Sequence, residues 1–286
     1  MKGTSEENQD IHLVFSVYTV VNMKRIIFLD IDGTIQDFDG TIPQSTVRAV
    51  RMSQKNGHKV CLCTGRPRPR IGEKLLNIGF NGIVASSGSY AEYEGRCIFH
   101  SLFEEKDYLS LMTWMVRRKC IVEVENDSEI YVLRNFWEQY KNVTGVTEQN
   151  ENIPFMIDDL KDADRVDKLV VFCDETTGNQ LKEKWGAHFH IVELSTPHNS
   201  QWAAEILPGG ISKATGIQRI LETAGFPAVS VIAVGDSEND LEMLEMAERG
   251  IAMGNASDDI KKRADYVTAS VKEDGIWKAF QQEGLI

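Results

Sequence analysis

Ten residues constrain this chain more than any other stretch: Arg25-Ile26-Ile27-Phe28-Leu29-Asp30-Ile31-Asp32-Gly33-Thr34. From Ile26 to Leu29 the run is apolar without a break. Such a run suits a strand buried on both faces, the habit of a parallel sheet. It stops at two aspartates one residue apart, followed by a Gly-Thr turn. A carboxylate at the carboxyl end of a parallel strand lies where open α/β sheets gather their chemistry. Two close carboxylates repel and need a cation or a shared proton. Mg2+, a hard ion that prefers carboxylate oxygens, fits that need. The reaction this suggests is phosphoryl transfer through an aspartyl-phosphate.

The chain on either side supports such a sheet. Gln36 to Thr41 is polar and turn-rich, short enough to be a flap over the site. A helix is expected from Pro43-Gln44 to Asn56, stopped at Gly57. Strands follow at Lys59 to Cys63 and Gly82 to Ala85, with a helix between them that enters at Pro67 and Pro69 and ends at Gly79. Strand and helix alternating at this spacing mean right-handed βαβ crossovers. The pattern then changes. Tyr108, Leu111, Met112 and Met115 recur at helical spacing, and Ile121 to Val124 and Ile130 to Leu133 alternate across Asn126-Asp127-Ser128 as a hairpin would. The stretch from Thr144 to Asn152 is polar and reads as loop or weak helix. Val166 to Phe172 and His188 to Val192 read as further strands, with a helix from Gly178 to Trp185. The first pattern resumes after Pro197, with strands at Ala203 to Leu207, Val229 to Val234 and Gly250 to Met253. The fold class is therefore α/β: a Rossmann-like parallel-sheet core formed by residues 23–89 and 195–286, with an α+β module, residues 90–194, inserted into it.

Composition excludes some functions. The chain has 286 residues, 42% of them hydrophobic, enough for a sizeable core. Its net charge of -12 argues against nucleic acid and anionic membranes as partners, since both need a basic surface. The oligomeric state is left open. Five scattered cysteines, an odd number, suit a reducing compartment, so the expected location is cytoplasmic. Cys61 and Cys63 alternate along a strand and read as small core residues, with no second pair to complete a zinc site.

Three motifs each follow an apolar run: Asp30-x-Asp32-Gly33-Thr34, Thr64-Gly65-Arg66 and Gly235-Asp236-x-x-Asn239-Asp240. In a parallel sheet all three fall on one edge and can converge. Lys213 opens a helix whose cap is Ser212. Acidic clusters, a hydroxyl, a lysine and loop amides together make a site for metal and phosphate. Taken singly the signals are weaker. Asp236 and Asp240 also suit the acidic start of any helix, and Thr64 could merely end a strand. Arg66 is left between clamping substrate and pairing with an acid of the inserted module. The histidines, including His188, His190 and His198, read as structural.

These motifs and their order resemble the haloacid dehalogenase superfamily of phosphatases. The late, large insertion resembles the Cof-type branch with a C2-type cap. The resemblance implies that Asp30 is the nucleophile and Asp32 the general acid and base. It implies a Mg2+ site built from Asp30, the backbone carbonyl of Asp32, and Asp236. Thr64 and amides around Ile31, Asp32, Gly33, Thr34 and Gly65 would hold phosphate, with Arg66 and Asn239 beside them. Lys213 would neutralise phosphate and nucleophile, and Asp240 would orient Lys213 or metal-bound water from behind. Two positions depart from the pattern. Ser87-Gly88 stands where the branch usually has Asn-Gly, which puts a substrate contact in doubt. Ser237 stands where many relatives have Gly, and it can cap the following helix.

The expected function is a Mg2+-dependent phosphatase of small phosphorylated metabolites, sugar phosphates first. Two alternatives stand beside it: a phosphomutase using the same aspartyl-phosphate, and a non-catalytic phosphometabolite sensor or partner-binding protein. Residues 1–22 read as a dispensable extension, because Met23-Lys24 directly precedes the first core strand. A chain beginning at Met23 is therefore expected to fold and keep full phosphatase activity, checked by thermal melting and initial rates of both forms.

Overall fold

The computed structural model describes residues 24–147, 153–194 and 201–286. The expectation for residues 1–22, and most of that for 144–152, falls outside them. Strand β1 is Ile26–Leu29, with all four residues fully buried. Helix α1 (Gln44–Lys55) leads to β2 (Lys59–Cys63). A short 3-10 turn and a four-residue helix, α2 (Glu73–Leu76), lead to β3 (Gly82–Ala85). A hairpin follows, β4 (Tyr90–Tyr93) and β5 (Arg96–His100). After helix α3 (Glu105–Arg117) come β6 (Ile121–Glu125), β7 (Ile130–Leu133), helix α4 (Trp137–Thr144) and β8 (Phe155–Ile157). Then come β9 (Lys168–Cys173), α5 (Glu175–Trp185), β10 (Phe189–Glu193) and β11 (Trp202–Pro208). The chain closes with α6 (Lys213–Ala224), β12 (Val231–Gly235), α7 (Leu241–Met246), β13 (Arg249–Ala252), α8 (Asp258–Arg263), β14 (Tyr266–Val267) and α9 (Gly275–Gln282).

The core sheet runs β14-β13-β12-β1-β2-β3-β4-β5, parallel as far as β3. The period-two rule divides β1 between two layers. Ile27 and Leu29 join the cluster that holds Ala49, Val50, Ala279 and Phe280 of α1 and α9. Ile26 and Phe28 join Ile217, Ile220 and Leu221 of α6. Connections leave β1 towards β2 on one side, while β12 lies on its other side. The strand order therefore reverses at the β1/β12 crevice, where α/β sheets place their ligands. Asp30, Asp32 and Asp236 all stand at this point.

The second sheet, β10-β11-β9-β6-β7-β8, forms the cap and is antiparallel except where β8 pairs with β7. Helices α3 and α5 cover one face through Tyr108, Leu111, Met115 and Leu181. Helix α4 covers part of the other through Tyr140 and Val143. The rest of that second face carries Glu123, Glu125, Lys168 and Glu205.

Both limits of the insertion shift from the expected 90 and 194. The β4–β5 hairpin belongs to the core sheet, because β4 pairs antiparallel with β3 from Gly82↔Tyr93 to Ala85↔Tyr90. Strand β11 belongs to the cap, paired with both β9 and β10. A buried strand carries the same apolar signal in either sheet, so its sequence does not say which partner it takes. The helix between Pro67 and Gly79 is also shorter than expected, and α4 carried too brief a pattern to be read.

Gly88 ties the two halves of the core together. Its φ is +109°, and a Cβ there would lie 1.9 Å from the Ser212 carbonyl oxygen. Neither the torsion nor the contact can be relieved by a side-chain rotation. Gly88→Ala should therefore destabilise the fold by about 2 kcal/mol or more, read as a lowered urea midpoint.

Candidate active site

The site begins where β1 ends. The Asp30 N–H donates to the Val234 carbonyl at 3.0 Å, locking the first motif to β12. Lys213, on the first turn of α6, is buried directly behind it. Its Nζ donates to Asp30 Oδ1 at 2.7 Å and to Asp240 Oδ1 at 2.5 Å. The other oxygen of Asp240 accepts from the Asp236 and Ser237 amides, each at 2.9 Å, and from the Ser237 hydroxyl at 3.1 Å. Ser237 thus caps its short helix as its sequence suggests.

Asp236 receives the Thr34 hydroxyl at 3.4 Å and the Asn255 amide at 3.1 Å. The same Asn255 amide donates to the Gly33 carbonyl at 2.8 Å. Gly33 is required: its φ is +81°, and a Cβ would lie 2.1 Å from Asp236 Oδ2. Carboxylate oxygens of Asp30, Asp236 and Asp240 all lie within 4.8 Å of one another.

Three carboxylates facing one ammonium leave two negative charges uncompensated. Burial, then Asp240, push the Asp30 carboxyl well above the usual carboxylate range, with Lys213 pulling it back. Burial and Asp240 push Asp236 up to about 7. Lys213 is pushed up as well, but for a different reason. Burial alone would lower it, but the Asp240 and Asp30 carboxylates outweigh that and hold its proton more tightly. Hard oxygen donors with an unmet charge of two fit Mg2+, and Asp30 and Asp236 would hold it.

Asp32 stands apart from the cluster. Arg66 grips it with two bonds, Nε to Oδ2 at 2.7 Å and Nη2 to Oδ1 at 2.5 Å. This is neither of the roles the sequence left open for Arg66. Thr64 is buried, and its hydroxyl accepts the Arg66 amide at 3.1 Å. Asn239 accepts the Ser237 hydroxyl at 3.0 Å. A cavity of about 520 Å³ joins Asp30, Asp32, Thr64, Gly65, Arg66 and Asn239 to the cap.

Some expected phosphate contacts have other work. The Gly33 amide donates to the Gln36 carbonyl at 2.7 Å and the Thr34 amide to Ile31 at 3.2 Å. The Thr34 hydroxyl turns to Asp236. These residues build the turn under the site. Other contributors were not foreseen. Asn255 follows β13 just as the three motifs follow their strands, which was its only sequence signal. Lys168 had none: it reaches from the cap to the Gly65 carbonyl at 2.5 Å and to Glu205 at 3.1 Å. Ser86 and Ser87 take left-handed backbone, φ +47° and +49°. Ser87, in the place of the usual Asn, donates to Glu205 at 2.6 Å and so spends its hydroxyl on the cap.

A family model for haloacid dehalogenase-like hydrolases matches residues 27–280. YkrA of Bacillus subtilis strain 168, which carries a provisional phosphatase name, is 30% identical over 92% of this chain and 98% of its own. The 5-amino-6-(5-phospho-D-ribitylamino)uracil phosphatase YitU of the same organism is 28% identical over 88% and 94%. The solved subclass IIB sugar phosphatase BT4131 superposes with a TM-score of 0.80 at 27% identity, over 92% of this chain and all of its own. The chain belongs to the haloacid dehalogenase-like hydrolases. Within them it falls with the Cof-type, subclass IIB phosphatases, and it is a phosphoric monoester hydrolase.

The charge imbalance predicts a pH effect. Asp236, moved from 3.8 to about 7, binds a proton more tightly in the fold than in the unfolded chain. Stability from this group is complete below the unfolded value and is lost as pH rises through the folded one. Without divalent cations, the wild type should lose stability relative to Asp236→Asn between about pH 3.8 and about pH 7. Saturating Mg2+ should restore most of it in the wild type and much less in the variant. Urea midpoints across pH, with and without Mg2+, check both.

Proposed function

We propose that this hydrolase is a Mg2+-dependent phosphatase of small phosphorylated metabolites, sugar phosphates favoured, acting through a phosphoryl group carried on Asp30. The observation that supports this best is the buried Lys213, which braces Asp30 at a strand end beside two further carboxylates whose charge it cannot balance alone. A nucleophile so held is oriented before substrate arrives. The relatives named for phosphatase activity point the same way.

In the proposed reaction an Asp30 oxygen attacks phosphorus while the bond to the leaving alcohol breaks. Asp32 gives that alcohol its proton. It then takes a proton from the water that attacks the aspartyl-phosphate, and the new P–O bond frees Asp30 and inorganic phosphate. Splitting the reaction lets one carboxyl serve both steps. Mg2+, when bound, supplies the positive charge that lets a phosphate dianion approach three carboxylates. Lys213 and Thr64 meet the remaining charge and oxygens of the phosphoryl group. Arg66 engages both oxygens of Asp32 in this structure, so it must release at least one of them before Asp32 can reach the leaving alcohol. The cap limits access of bulk water and reads the leaving group.

No described helix is long and apolar enough to cross a membrane, and all five cysteines are free. We place the enzyme in the cytoplasm on the cysteine usage.

Asp30→Asn should abolish both turnover and phosphoenzyme. Asp32→Asn should lower turnover by about 10²- to 10⁴-fold yet still bind phosphate. Phosphate release on a panel of sugar, nucleotide and cofactor phosphates with Mg2+, plus trapping of labelled phosphoenzyme, checks both. Isomerised product without released phosphate would indicate the mutase instead. Tight binding without any turnover would indicate the sensor.

A further inference from the structure

The cap's wall of the cavity has its own unmet demands. Glu123 and Glu125 lie two residues apart on β6 and so share a face. Both line the cavity, as do Glu205, Lys168 and Arg70. Glu123 and Glu125 are 9% and 2% exposed. The Tyr140 hydroxyl donates to Glu123. Lys168 directs its hydrogen bonds to Gly65 and Glu205. It lies 3.0 Å from Glu125 Oε2, close enough to attract it. That ion pair is its partner, and the oxygen, buried as it is, takes no hydrogen bond of good geometry from it. Arg70 presents the opposite case: its Nη2 is buried with no acceptor.

Such groups are costly to leave unpaired. The oxygen has room for a better-aimed donor beside Lys168, and the guanidinium needs an acceptor. Charge decides which donor. Three acidic side chains stand against two basic ones, Lys168 and Arg70, so this wall carries one acid more than it has bases to pair. Arg66 does not reduce it, being engaged with Asp32. A hydroxyl would satisfy the hydrogen bond but not the charge. An ammonium satisfies both, and a second phosphate or a carboxylate would meet repulsion.

Building on the phosphatase reading, we infer that Glu125, supported by Glu123, selects substrates whose leaving alcohol carries an amine, of the amino-sugar phosphate class, over their neutral counterparts. The phosphate then faces Asp30 and Lys213, the amine faces β6 of the cap, and a neighbouring hydroxyl or ring oxygen meets Arg70. Burial raises the affinity of Glu125 for a proton, Lys168 opposes this and Glu123 adds to it. A bound ammonium would keep the carboxylate ionised.

The test compares initial rates with Mg2+ at pH 7 on p-nitrophenyl phosphate, glucosamine 6-phosphate and glucose 6-phosphate. The two sugars differ in one amine for one hydroxyl. The wild type should favour the amine by about tenfold or more in kcat/KM, equivalent to about 1.4 kcal/mol. The preference should shrink towards unity in Glu125→Gln. Should that variant not fold, Glu123→Gln should show a smaller loss of the same ratio. A wild-type ratio of one or below overturns the inference, and so does a ratio that survives in the variants. Hydrolysis of p-nitrophenyl phosphate with neither sugar used also overturns it while leaving the phosphatase reading intact. No turnover of any of the three brings down the phosphatase reading itself.

Discussion

The buried ammonium of Lys213 is the interaction on which the rest of the site depends. It lies at the junction of three segments, the end of β1, the start of α6 and the loop after β12, and bonds to a carboxylate from two of them. Breaking a buried ion pair by removing one partner costs about 3–5 kcal/mol, because the charge left behind has no water to solvate it. The lysine is therefore structural and chemical at once. It holds Asp30 in one orientation and offers positive charge where a phosphoryl group would arrive. It does not balance the cluster, since Asp236 and Asp240 bring more negative charge than one lysine can offset. The fold thus holds together a site that still wants a cation, and function accounts for that residual strain better than stability does.

The cap is tied to this site by contacts of the same kind. Lys168 bonds the Gly65 backbone within the motif that carries Thr64, and Glu205 takes the Ser87 hydroxyl from the loop after β3. Both links are polar, short and buried. Movement of the cap would expose Lys168 and Glu205 to water together, so the net change in their pairing is smaller than the number of bonds implies. Polar links of this kind suit a lid that must both close tightly and reopen.

Much of the core was legible in the sequence because buried parallel strands leave unbroken apolar runs and their chemistry follows at once in the chain. Asp30, Thr64, Asp236 and Lys213 were found that way, or by resemblance, and the structure brings all four to one crevice. The limits of the cap were not legible. A run such as Trp202–Pro208 says that it is buried, but its sheet is decided by pairing with β9, some 30 residues earlier. Lys168 and Glu205 were hidden for the same reason. A charged residue inside a strand reads as solvated until the strand order shows that it faces another domain's motif. Gly33 and Thr34 show the converse: a motif names residues that belong together, yet only the hydrogen bonds divide those that can face a ligand from those that make the turn.

The pairing of Arg66 with Asp32 fixes the second aspartate of the first motif as Lys213 fixes the first. Two bonds, 2.7 Å and 2.5 Å, take both carboxylate oxygens at once. A bidentate fork sets a direction where a single bond would leave the carboxyl free to turn. The Arg66 amide also donates to the Thr64 hydroxyl, so the loop after β2 sets the position of Asp32 together with that of Thr64. The motif after β1 is thus held from two sides, Asp30 by a lysine of α6 and Asp32 by an arginine of the loop after β2. Neither aspartate owes its orientation to its own strand alone, which is why the spacing of the two along the chain says so little about how differently they are held.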